Sequence, residues 1–190
     1  MNLIAIDIGN TNIGLGLFLK GEEQFVKSVP GEAAAELTEL LKSTWEMIPV
    51  APRSKEGKRD GVIVVSSVKP AWTQVVRDIA RQTLGENILL VGREIPFPIE
   101  LSIEHPETVG TDRALAASAA YAVTEHAVAV ADFGTAVTID LVDDRGVFCG
   151  GVIFPGFEMA ANALHNDTAQ LPKVIVKKPE WPFGKNTVDA

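Results

Sequence analysis

Two stretches of this chain share one pattern: an apolar run, an aspartate, a glycine two positions later, and a threonine just beyond. The first reads Leu3-Ile4-Ala5-Ile6-Asp7-Ile8-Gly9-Asn10-Thr11 and the second Val128-Ala129-Val130-Ala131-Asp132-Phe133-Gly134-Thr135. Each predicts a buried strand that runs into a glycine turn and returns as a second strand, with a carboxylate just before the turn. One copy reads equally well as ordinary turn chemistry. Two copies in matched contexts constrain the chain to a duplicated α/β lobe with a polar cleft between the halves. A carboxylate at a strand end suits a cation, and the backbone N–H groups of such a turn suit phosphate oxygens. The pattern therefore points to a nucleotide and a metal ion.

The intervening sequence supports layered α/β structure. Residues 2–29 read as three short strands, and the stripe Leu37, Leu40, Leu41, Trp45 predicts a helix over 32–47. The charged, Pro- and Gly-containing stretch 49–60 is a surface loop. Strands are expected at 61–68 and 88–91, with a helix over 71–84 whose Val75, Val76 and Ile79 point inward. Residues 94–109 contain three prolines without a clear period and read as a crossing between lobes. A helix follows at 111–121 with Thr111 as N-cap. The strand pattern then restarts at 127–131, 136–142 and 147–154, followed by a short helix over 157–164. Strands interleaved with helices argue against an all-β fold.

Composition narrows the partners. The 190 residues carry a net charge of −8 and no basic block, which disfavours nucleic-acid binding through phosphate neutralisation. No apolar run reaches the ~20 residues of a spanning helix, and the N-terminus lacks a basic leader, so no membrane partner is expected. A single cysteine, Cys149, excludes an internal disulfide framework and reads as a small buried hydrophobe. A cytoplasmic protein is the expectation.

Three further stretches carry candidate chemistry. Gly110-Thr111-Asp112-Arg113 opens a helix; Asp112 is either favoured there by the helix dipole alone or acts as a general base, with Arg113 able to pair with a substrate carboxylate. Gly150-Gly151 is either a β-bulge or backbone lining a nucleotide pocket. Gly184-Lys185-Asn186-Thr187 is not a phosphate loop of the Walker A type, because Pro179 stands at the first glycine position and Asn186 follows the lysine. The three histidines are dispersed, without metal-ligand spacing, and the tryptophans Trp45, Trp72 and Trp181 read as core or interface residues.

Taken in order, Asp7-Ile8-Gly9-Asn10-Thr11, Gly110-Thr111-Asp112-Arg113, Asp132-Phe133-Gly134-Thr135-Ala136 and Gly150-Gly151-Val152-Ile153-Phe154-Pro155-Gly156 closely resemble the motifs of type III pantothenate kinases. These belong to the acetate and sugar kinase/Hsp70/actin superfamily, whose members have two ribonuclease-H-like lobes, mixed sheets with flanking helices, around an ATP cleft. The resemblance implies an N-terminal lobe over 1–112 and a C-terminal lobe over 113–190. It implies a homodimer that phosphorylates pantothenate to 4′-phosphopantothenate with ATP, Mg²⁺ and a monovalent cation, K⁺ or NH₄⁺. By position, Asp7, Ile8, Gly9, Asn10, Thr11, Asn12, Ile13 and Gly14 would form the first phosphate-binding turn, with Asp7 helping to site Mg²⁺. Asp112 would be the base, and Gly110, Thr111, Asp112 and Arg113 would contact pantothenate. Asp132 would hold the monovalent cation, Thr135 would contact ATP, and Thr187 would contact substrate. Three departures stand out: Ile103 occupies a usual aromatic position, Thr111 replaces the commoner Ala, and relatives continue through further helices beyond Thr187. The last implies a C-terminally truncated chain whose second lobe is incomplete. A non-catalytic regulator like the Bvg accessory factor proteins, or a kinase for another small alcohol, are the alternatives.

Overall fold

A computed structural model describes residues 1–52, 54, 56–178 and 181–189; Pro179 lies outside them. The first sheet contains β1 (Leu3–Ile8), β2 (Asn12–Leu19), β3 (Glu22–Pro30), β4 (Val62–Ser67) and β5 (Ile88–Leu90) in the order β3-β2-β1-β4-β5. β1 runs antiparallel to β2 and parallel to β4, which puts it at the centre with a partner on each side. This is the strand order of the ribonuclease-H-like lobe. Helices α1 (Ala34–Met47) and α2 (Pro70–Ile79) supply the apolar residues that complete its core.

The reason is visible in the alternation of β1 and β2. Ile4, Ile6 and Ile8 of β1 and Ile13, Leu15 and Leu17 of β2 are essentially fully buried, as are Leu37 and Leu41 of α1. Each such side chain contributes about 1.5–3 kcal/mol on burial, so register is strongly specified on this face. Trp45 joins the same core, and Trp72 packs against it so closely over Gly31 that any Cβ there would overlap the indole. Val76 is buried as expected, but Val75 is exposed: α2 presents only one narrow stripe to the sheet, and Val75 lies a position to its side. The predicted helix over 71–84 ends as an α-helix at Ile79 and continues as one π-helical turn, Ala80–Leu84.

The second sheet contains β6 (Glu100–Leu101), β7 (Val128–Phe133), β8 (Ala136–Val142) and β9 (Val147–Pro155) in the order β6-β9-β8-β7. β9-β8-β7 repeats the antiparallel β3-β2-β1 half of the first sheet. β6 comes from the proline-containing crossing segment and pairs parallel with β9, so residues expected to close the first lobe contribute a strand to the second. Helix α3 (Thr111–Thr124) buries Ala114 and Ala117 against this sheet, where a smaller core forms with Ile99, Val142 and Phe148. Helix α4 (Phe157–Asp167) follows β9, starting after Gly156; no Cβ fits there, because the carbonyls of Gly134 and Thr135 in the β7–β8 turn stand against it.

One sequence expectation fails in this half. Cys149 is exposed, not buried: a register irregularity opposite Leu141/Val142, with Gly150 at φ +97, turns it onto the outer face. Trp181, expected in the core or at an interface, is outside the core, in the irregular segment that follows α4.

Candidate active site

The two aspartate-glycine turns are related but not identical. In the first, Gly9 N–H donates to the Asn12 carbonyl at 3.0 Å; in the second, Gly134 N–H donates to the Ala136 carbonyl at 3.0 Å. The first turn is one residue longer, since Ile8 pairs with Ile13 while Phe133 pairs with Val137. Asp7 consequently faces Gly14 across the hairpin and Asp132 faces Thr138.

The N-terminus of α3 is attached to the end of β4, the strand beside Asp7. Its N-cap is Gly110, not Thr111. A Cβ at position 110 would lie 2.5 Å from an Asp112 carboxylate oxygen, so glycine makes room for that carboxylate to fold back over the helix start. The same oxygen accepts the Arg113 N–H at 2.8 Å. Acidic placement in the first turn is favoured by the dipole.

The Thr111 hydroxyl is used differently. It accepts from Ser66 Oγ and from Ser67 N–H, each at 3.1 Å, and donates to the Ser67 carbonyl at 3.0 Å. Thr73 Oγ1 donates to Ser67 Oγ at 2.6 Å, extending this hydroxyl network into α2. Thr111 thus fastens α3 to the end of β4, the strand beside Asp7. A cavity of about 710 Å³ opens next to it, with Arg77, Phe97 and Val109 among its walls.

The carboxylates respond to one another through charge. Asp7 retains solvent access, yet its carboxyl is raised above the ordinary carboxylate range, chiefly because the surrounding protein desolvates it. The Ser66 hydroxyl pulls it the other way, and the charges of Asp112 and Asp132 push it up further. Asp7 thus feels the charges of Asp112 and Asp132, which lie far from it in sequence.

Among the described residues, no three His, Cys, Asp or Glu side chains form a ready-made metal cluster. The donor chemistry still fits hard cations. Carboxylate oxygens and turn carbonyls are the ligands Mg²⁺ and K⁺ prefer, and the repulsion felt by Asp7 is what a cation would relieve. One protein cation already sits at the first turn: Lys69 Nζ donates to the Asn10 carbonyl at 3.2 Å while lying 3.2 Å over the Trp72 ring.

Other expected site residues fall elsewhere. Arg113 is paired with the buried Asp140 of β8. Ile103 packs on the second core beside Gly150. Thr187 lies in a turn held by Asn186 and Asp189, and among the described residues no hydrogen bond joins that turn to the cleft. Gly150 and Gly151 follow the irregular point of β9 at Cys149 and pair with Leu141 and Asp140. Sequence reasoning missed Ser66, Lys69 and Asp140. Asp140 had a signal, a lone charge on the inward side of an apolar strand; Lys69 and Ser66 had none.

Comparison with known proteins adds the family. The sequence profile of type III pantothenate kinase matches residues 3–190. The chain belongs to the type III pantothenate kinase family. Family members include the type III pantothenate kinase of Chlorobaculum tepidum, 35% identical over 98% of this chain and 67% of its own length. That of Streptomyces coelicolor is 36% identical over 99% of this chain and 72% of its own. Among solved structures, a Campylobacter jejuni protein assigned to the Baf family of transcriptional activators superposes with a TM-score of 0.56. It is 18% identical and covers 98% of this chain and 70% of its own, a likeness of fold alone.

Proposed function

We propose that this chain phosphorylates pantothenate to 4′-phosphopantothenate at the expense of ATP, the first step of coenzyme A biosynthesis. The observation that carries the proposal is membership of the pantothenate kinase family over residues 3–190, supported by the two aspartate-glycine turns and by the charges of Asp112 and Asp132 acting on Asp7. Three carboxylates without cations repel both one another and a polyphosphate. Their grouping makes sense where cations and phosphate share the site.

The roles divide by position. The turn from Asp7 to Gly14 offers backbone N–H groups to the phosphates of ATP, and Thr135 meets the nucleotide from the second turn. Asp7 would hold Mg²⁺ and Asp132 a monovalent cation, K⁺ or NH₄⁺. When bound, these ions neutralise phosphate charge as the phosphoryl group transfers. Asp112 accepts the proton of the acceptor's primary hydroxyl; its carboxylate is exposed at the helix start and already folded back over Gly110, so it needs no large movement to reach a bound alcohol. Gly110 to Arg113 would line the acceptor subsite, with Thr187 as a further substrate contact. The chain works as a cytoplasmic homodimer, with lobes divided near residues 112 and 113 except for β6, which joins the second sheet.

Asp112→Asn tests the base. Turnover should fall by about 10²–10⁴-fold, while ATP binding measured by titration calorimetry stays close to that of the unaltered protein. Near-normal turnover by the variant would remove Asp112 from the role.

A further inference from the structure

Asp140 is the one charged residue among the fully buried side chains described, at 2% exposure. It belongs to none of the motifs that mark the family. Burying an unpaired carboxylate is costly, so its pairing has to be strong. Arg113 provides that: its Nε donates to both Asp140 oxygens at 3.0 and 3.2 Å, and its Nη2 donates to Oδ1. The guanidinium lies 5.8 Å from the Phe148 ring centroid. On the far side, β9 makes space with Gly151, which pairs with Asp140; any Cβ there would overlap the Asp140 carboxylate. In the first hairpin the corresponding position is Gly16, so this aspartate is particular to the second half.

The fork of a guanidinium has two edges that can each seat a carboxylate. Asp140 occupies the Nε/Nη2 edge, and among the described residues Nη1 donates to no protein acceptor. Arg113 follows Asp112 directly on α3, so their side chains diverge by about 100° around the helix. The Asp112 carboxylate folds back over Gly110 at the helix start, while the Arg113 guanidinium reaches Asp140 on β8. On the kinase reading, Asp112 would meet the acceptor's hydroxyl, and the remaining edge of Arg113, on the adjacent residue, would be the cation offered to its other end.

We propose that Asp140 is the positioning residue that fixes Arg113 with its outer edge open to the carboxylate of the acceptor, and so sets the preference for an acid over its uncharged analogue. The proposal rests on the reading of this cleft as a pantothenate kinase site. It predicts an effect opposite to simple charge bookkeeping. Removing the negative charge of Asp140 should strengthen the attraction of Arg113 for an anion, whereas loss of the clamp should weaken its grip.

The test compares pantothenate with pantothenol, in which a primary alcohol replaces the carboxylate, using Asp140→Asn and the unaltered protein. The readout is the ratio of kcat/KM for the acid to that for the alcohol. The unaltered protein should favour pantothenate, and Asp140→Asn should shrink the ratio about tenfold through a higher KM for pantothenate, the scale of one charge-assisted hydrogen bond removed. An unchanged or larger ratio would overturn the proposal, because a merely structural ion pair lowers both activities together. If thermal melting shows Asp140→Asn unfolded, Arg113→Lys gives the second reading: it keeps the charge against Asp140 but loses the outer edge. The same acid-selective loss is expected, and a uniform loss would overturn the proposal. An unaltered protein that phosphorylates both acceptors equally well refutes the role of Asp140 and leaves the kinase reading standing; one that phosphorylates neither refutes both.

Discussion

Strand β1 is hydrogen-bonded on both sides, to β2 and to β4, whereas β7, its counterpart, is bonded among the described residues to β8 alone. The consequences run through the hairpins. Aligning the pair Asp7–Gly14 with Asp132–Thr138 makes Leu17 and Leu141 counterparts; the first is 0% exposed and the second 51%. The helices α1 and α2 cover that face of the first hairpin, while on the second hairpin the equivalent face, with Ile139, Leu141 and Val152, stands open. The opposite face of the second hairpin is the covered one, by α3, and it carries Asp140 in place of Gly16. Among the described residues the two hairpins are thus covered on opposite faces. The first copy holds Asp7 on a rigid, fully flanked strand; the second holds Asp132 on an edge strand and devotes its inner face to anchoring Arg113.

The sharpest way to break this comparison is a pair of identical truncations. Leu17→Ala should lower unfolding free energy by about 2–5 kcal/mol through cavity formation. Leu141→Ala should change it by no more than about 0.5 kcal/mol, as for an exposed site. Equal losses in urea denaturation would show that the second hairpin is covered as fully as the first.

A smaller effect is expected where the halves meet. Thr111→Ala removes a hydroxyl bonded to Ser66 and Ser67 and should cost about 1 kcal/mol, whereas Thr111→Ser should recover most of it. No loss in the alanine variant would mean that the α3–β4 fastening contributes nothing.

The smallest effect concerns charge. Because the folded carboxyl of Asp7 is raised above its unfolded value near 3.8, its ionised form opposes folding at neutral pH. Wild-type stability should therefore fall as pH rises through the raised value. Asp7→Asn should melt higher than wild type at pH 7, with the gain fading as the pH is brought down toward the ordinary carboxylate range. A gain that grows in acid would contradict the desolvation and repulsion assigned to Asp7.

Much of this architecture was legible in the sequence. The longer strands, the α-helices and the relation of the two turns follow from apolar periodicity and from the repeated Asp-x-Gly pattern, because burial on one face fixes both period and register. The exceptions share a cause: they depend on what packs from a distance. Cys149 was expected inside, but a bulge with Gly150 in a left-handed conformation carries it out. Thr111 has the chemistry of an N-cap, yet β4 offers its hydroxyl better-placed partners than the helix does. Strand β6 has two residues in a proline-containing segment, too short to show a period. At the site, the carboxylates were identifiable as types in a pattern, while the Arg113–Asp140 pairing joins positions that only the folded sheet brings together.

The central claim is that this cleft transfers phosphate from ATP to pantothenate. A coupled assay of ADP release, run with and without pantothenate and with K⁺ exchanged for Na⁺, addresses it directly. ADP release that requires pantothenate and falls when Na⁺ replaces K⁺ is the predicted result. ADP release that is indifferent to pantothenate, or absent in its presence, would contradict the account.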